Sequence, residues 1–167
     1  MQLPESRHAA PLPWADEPGA PAAAVTAKAD AYLGITPATP GELPAKLNVW
    51  LAGRGGKPVL VKADARAEYA RLAALPDALR RAGVETLFLR SSQRDSPEPV
   101  YPVPPKGLEV STGPSPAPVQ ALRSGARPAL EGRPKAVALQ PGAKMPAGEV
   151  VRAIDERRGA GARVCLR

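Results

Sequence analysis

Asp64 closes the stretch "KPVLVKAD", an acid at the end of an apolar strand. A carboxylate in that place can act as a general base, touch a ligand, or accept backbone N–H bonds in the turn that follows. Proton transfer needs a second titratable group within reach, and no neighbour in the sequence is placed to supply one. Glu68 lies a turn later, at an expected helix start, where negative charge suits the open N–H groups. Asp64 is therefore expected to be a turn residue or binding contact, and Tyr69, beside Glu68, is grouped with it.

Other chemistry is sparse. Cys165 is the single cysteine and His8 the single histidine. One of each makes neither a disulfide nor a zinc site, and no metal or cofactor is expected. In "RVCLR" a small buried hydrophobe suits position 165 better than a nucleophile. "GRGGK", residues 53–57, lacks the strand before, the helix after and the full spacing of a phosphate loop, so it reads as a helix-to-strand turn. Trp50 falls on an apolar helix stripe and is expected in the core. Trp14, between Pro13 and Ala15, is expected to be exposed.

The elements that would position these residues occupy part of the chain. Of 167 residues, 22 are proline and 15 glycine, and aromatics are only 4%. An aliphatic core of modest size follows, with proline-rich flanks. The net charge is +7, which brings nucleic acid or another anionic polymer into consideration. The arginines are dispersed, however, and no aromatics interleave with them for base stacking. No window approaches a membrane-spanning length, and the first residues have no apolar signal-peptide run, so the chain as it stands reads as soluble and unexported.

Residues 1–24 are expected to be a disordered leader. Val25 to Ile35 suggests one or two short strands. Gly41 to Ala52 suggests a helix with Leu43, Leu47, Trp50 and Leu51 on one stripe. Val59–Val61 reads as a buried strand, and Glu68 to Arg81 as a helix whose Tyr69, Leu72, Leu75 and Leu79 face the core. Pro76 should kink that helix and Gly83 should cap it. Thr86 to Leu89 reads as a second strand, parallel to the first. Residues 93–107 read as a proline-rich linker. Beyond it, Leu108 to Thr112 is a strand candidate, 118–131 weakly helical, Ala136 to Leu139 apolar, and Glu149 to Arg158 amphipathic.

The second half repeats the first. The ungapped alignment that sets Lys57 on Lys135 also sets Val59 on Val137, Asp77 on Asp155, Arg80 on Arg158 and Gly83 on Gly161. Seven of 33 positions are then identical, and the elements come in the same order. Gly142 stands where Asp64 would be.

This layout resembles the periplasmic domain of the ExbD/TolR family. The match runs through "AYLGI", the Leu-rich helix ending "LAGRGG", "KPVLVKAD", the helix opening near "EY", "LRRAGV" and the closing strand "TLFL". "KMPAGEVVRAIDERRGAGARVCLR" resembles the family's second helix and last strand, and the leader "MQLPES" resembles the segment after its membrane helix. Residues 25–92 carry the resemblance well and 108–167 weakly.

The resemblance implies an α+β fold, with small mixed sheets and two helices packed on one face, in two tandem units, 25–92 and 108–167. It implies a non-enzymatic accessory of a proton-driven inner-membrane motor. The partners would be an ExbB/TolQ-type channel subunit, a TonB/TolA-type transducer and peptidoglycan, with pairing as a homodimer or an intrachain pseudo-dimer. The family's membrane helix and its aspartate are absent from these 167 residues; a late gene start, a soluble relative or a trimmed chain would each account for that. The alternative reading is a soluble basic protein that binds nucleic acid or another anionic polymer.

Overall fold

The structure, a computed structural model, describes residues 1–28, 30–39, 42–52, 58–92, 104–113, 117–125 and 134–167. It is mixed α/β. The strands are β1 (Ala10–Pro11), β2 (Ala22–Val25), β3 (Ala31–Leu33), β4 (Thr36–Ala38), β5 (Val59–Ala63), β6 (Thr86–Ser91), β7 (Lys106–Ser111), β8 (Val119–Leu122), β9 (Ala136–Pro141) and β10 (Arg163–Leu166). The helices are α1 (Leu43–Leu51), α2 (Tyr69–Arg81) and α3 (Ala147–Gly159), with a 3-10 turn at Pro13–Asp16.

Separate small sheets were expected; among the described residues a single ten-stranded mixed sheet is found, in the order β4-β3-β2-β5-β6-β7-β10-β9-β8, with β1 paired on β7. The reason is β7. It pairs antiparallel to β6 on one side and parallel to β10 on the other, so neither half is left with an open inner edge. Among the described residues three helices, rather than two, form the second layer, α1 against α2 and α2 against α3.

Strand alternation assigns the two faces. Val59, Val61, Leu87, Leu89, Leu108, Val110, Val137, Leu139, Val164 and Leu166 join the helices in one core. Leu60, Ala138 and Cys165, at the alternate positions, are buried apart from it. From the helices, Tyr69, Leu72, Leu75 and Leu79 of α2 and Val150, Val151 and Ile154 of α3 enter the core. Each leucine buried this deeply contributes about 1.5–3 kcal/mol, which explains how α2 runs unbroken through Pro76 despite the missing N–H.

α2 and α3 match in detail. Each has 13 residues. Each ends at a glycine in the left-handed region, Gly83 at φ 78° and Gly161 at φ 84°, where a side chain would be strained. The turns before them meet. Tyr69 N donates to Met145 O and Ala147 N to Ala67 O, both at 2.8 Å. Ala70 N donates to Ala143 O at 2.8 Å and Gly148 N to Ala65 O at 2.9 Å. Within each pair of bonds, donor and acceptor swap between positions that the internal repeat equates. Glu68 and Pro146 form the antiparallel bridge between them.

Several segments differ from the sequence reading. The leader, expected to lack order, is hydrogen-bonded along its length. Gln2 O accepts from Ala65, Pro4 O accepts from Ser92, Ser6 donates to Ser92 O, and Leu12 donates to Pro105 O. Its prolines cost it little, because each bond uses a non-proline N–H or a free carbonyl. Residues 119–122, expected weakly helical, are strand β8, parallel to β9; the pairing outweighs the propensity of Gln120, Ala121 and Leu122. Trp14 is partly covered rather than exposed, its ring edge-on to Phe88 at 5.7 Å between centroids. Trp50 packs partly buried against the core. Residues 53–57 and 93–103 of the expected turn and linker lie outside the described residues; Lys106 and Gly107 already belong to β7.

Candidate functional site

The turn from β5 into α2 holds Asp64, buried to 1% exposure. Its Oδ1 accepts the Arg66 backbone N–H at 3.1 Å and Arg66 Nε at 2.9 Å. Its Oδ2 accepts Arg66 Nη2 at 3.0 Å and the Gln2 backbone N–H at 2.9 Å. The Arg66 guanidinium, helped by these two backbone donors, holds the carboxyl well below the usual carboxylate range. A charged carboxylate with four donors on it is a poor base. Asp64 fastens the first residues of the chain to the β5–α2 turn.

Tyr69 begins α2 and is buried. Its hydroxyl donates to the Arg167 carbonyl at 3.2 Å. Burial, with the Asp77 charge adding to it, pushes the phenol up to about 12. Asp64 and Tyr69 therefore serve different contacts, one to the leader and one to Arg167. At the position matching Asp64, Gly142 keeps the backbone bonds without the carboxylate. Met145 N donates to Gly142 O as Ala67 N does to Asp64 O, and Gly142 N to Leu122 O as Asp64 N does to Val25 O.

A second buried carboxylate went unnoticed in the sequence. Asp155 of α3, 7% exposed, accepts the backbone N–H of Arg7 at 2.9 Å and of His8 at 2.8 Å. His8 Nδ1 lies 3.3 Å from the same side chain. The His8 ring covers Gly159, where a Cβ would stand 2.5 Å from it. Asp155 aligns with Asp77 when Lys57 is set on Lys135, but the Asp77 carboxylate pairs with Arg80 on its own helix. Nothing in the local sequence separates the two; the difference is made by the leader, which is far from α3 along the chain.

A cleft of about 550 Å³ opens at the start of β6, lined by Pro58, Gly83, Glu85, Thr86, Phe88 and Glu109. It contains neither Asp64 nor Tyr69, and Glu109 is paired there with Arg158 at 2.9 Å. Cys165 is buried on the face of the sheet opposite α1, α2 and α3. Among the described residues, no three histidine, cysteine or carboxylate side chains cluster as metal ligands would. Among them also, no helix is long and apolar enough to cross a membrane.

The arrangement is one of fastening. Buried carboxylates, a buried phenol and matched backbone bonds tie the leader, the two halves and the last strand together. Comparison with protein-family models and with curated proteins finds no match to this chain.

Proposed function

We propose that the chain is a non-enzymatic docking module resembling the ExbD/TolR periplasmic domain, built from two tandem units that pack as an intrachain pseudo-dimer. The observation that supports it is the exchange of backbone bonds between equivalent positions of the two units, around Glu68 and Pro146. A pair of like units related by a two-fold axis makes each contact twice with the roles reversed. The resemblance to a dimerising family rests on the same strand–helix–strand unit.

In this reading the module sits on the periplasmic side of the inner membrane, beside an ExbB/TolQ-type channel subunit. It meets a TonB/TolA-type transducer and peptidoglycan, and helps couple the proton motive force to biopolymer transport. Asp64 and Tyr69 act as structural contacts. Photo-crosslinking from the exposed face of the full chain in its native cell tests the assignment. Capture of the channel subunit or the transducer is expected; capture of neither, with the protein outside the envelope, overturns it. The pseudo-dimer has its own test. Residues 25–92 expressed alone should self-associate or melt well below the full chain, and a monomeric fragment as stable as the whole rules it out.

A further inference from the structure

The face of the sheet opposite α1, α2 and α3 carries a row that crosses six strands, Pro37, Tyr32, Ala24, Lys62, Arg90 and Gly107. The pairings Tyr32 with Pro37, Ala24 with Tyr32 and Ala24 with Lys62 build one side of it. Arg90 with Gly107 builds the other. The step between them follows from Val61 opposite Leu89, one residue earlier on parallel β5 and β6. Lys62 and Arg90 alternate with Val61, Ala63, Leu89 and Ser91, all buried on the helix side, so the two cations share the opposite face.

Neighbouring strands lie about 4.8 Å apart. Two like charges directly opposite at that spacing repel. Among the described residues neither cation has a hydrogen bond or ion pair from its side chain, and Glu109, the carboxylate diagonal to Arg90 on this face, is paired with Arg158. Asp64, two residues beyond Lys62, is taken up by Arg66 and Gln2. Both cations are partly exposed. Beside them stand the small residues Ala24 and Gly107. At Gly107 the leader closes the row, since Leu12 Cδ1 would lie 2.7 Å from any Cβ there.

We propose that Lys62 and Arg90 bind a carboxylate, presented by an acidic side chain of an extended peptide partner. The planar guanidinium fork matches a carboxylate, and the lysine adds a second positive charge. Phosphate sites typically add backbone N–H groups at a helix N-terminus. Here the helices cover the other face, and the N–H groups of β5 and β6 are engaged in the sheet. Donors come from side chains alone, which suits one planar, singly charged group. The proposal does not depend on the motor-accessory reading.

The test titrates the full chain, at neutral pH and low salt, with a fluorescent peptide of alternating glutamate and alanine. The same peptide with glutamine is the control. The glutamate peptide should bind and the glutamine peptide should not. Lys62→Gln and Arg90→Gln should each weaken binding about tenfold, and Arg81→Gln, on α2, should leave it unchanged. Arg90→Gln should not lower the melting temperature of the free protein, because it relieves a repulsion. A drop in melting temperature would make Arg90 structural and overturn the proposal. Failure of the glutamate peptide to bind, or equal weakening by all three variants, also overturns it. Displacement of the peptide by equimolar inorganic phosphate or by DNA would overturn the assignment to a carboxylate.

Discussion

Glu68 and Pro146, equated when Lys57 is aligned on Lys135, stand opposite each other in an antiparallel bridge, and the bonds on either side of them are exchanged in matching pairs. The backbone match does not extend to the side chains. Ala70 carries a Cβ, while its counterpart Gly148 has none. A Cβ on Gly148 would lie 3.2 Å from Ala65 O and 3.3 Å from Ala65 Cβ. Gly148→Val should therefore force the two turns apart and cost about 1–3 kcal/mol, read as a lower urea midpoint. Helix propensity alone favours valine over glycine, so an unchanged midpoint would show that the turns are not in firm contact.

Asp64→Asn should cost about 1–3 kcal/mol. The Arg66 side chain is 65% exposed, so the ion pair contributes little. The larger part is the Gln2 and Arg66 backbone donors left poorly satisfied. Thermal melts of the two proteins at pH 7 check the size.

Acid should act through the same residue. The folded carboxyl is depressed below its ordinary value of 3.8, so the unfolded chain takes up the proton first. The contribution of Asp64 is complete well above pH 3.8 and is lost as the pH falls below it. The stability difference between the parent and Asp64→Asn should shrink on acidification from pH 6 to pH 3. A difference that stays constant would remove Asp64 from the acid response.

Tyr69→Phe removes one hydrogen bond, to Arg167 O, and should cost about 0.5–1.5 kcal/mol. The folded phenol is raised, so its contribution is present below the unfolded value of 10 and is lost as the pH climbs toward 12. In an ultraviolet titration of the three tyrosines, the variant should lack the last ionisation step.

Asp155→Ala should free the leader without unfolding α3. Amide exchange at Arg7 and His8 should accelerate toward that of an open segment, while the amides of β9 and β10 keep their protection. Equal acceleration everywhere would mean that the leader and the second half open as one unit.

Periodicity carried much of the fold in advance. The apolar spacing of Tyr69, Leu72, Leu75 and Leu79 located α2, and Gly83 marked its end. Short edge strands escaped that reading. Pro37 sits in β4 at the rim of the sheet, where a missing N–H does no harm, and β8 spans only four residues of helix-compatible composition. The leader escaped as well, because its order comes from backbone groups meeting Asp64 and Asp155, contacts that leave no periodic trace. Asp64 was legible as a turn residue from its place after a strand. Lys62 and Arg90 become neighbours only once the register of β5 and β6 is known.

The leader's bonds also set an order of events in the cell. Residues 1–12 are synthesised ahead of everything they bind, and their partners include Gly107 of β7 and Asp155 of α3. Domains acquire structure as the chain emerges from its N-terminal end. The leader must therefore wait through the synthesis of β7 and α3 before it can take its place. Its seating reports that β7 and α3 have already arrived.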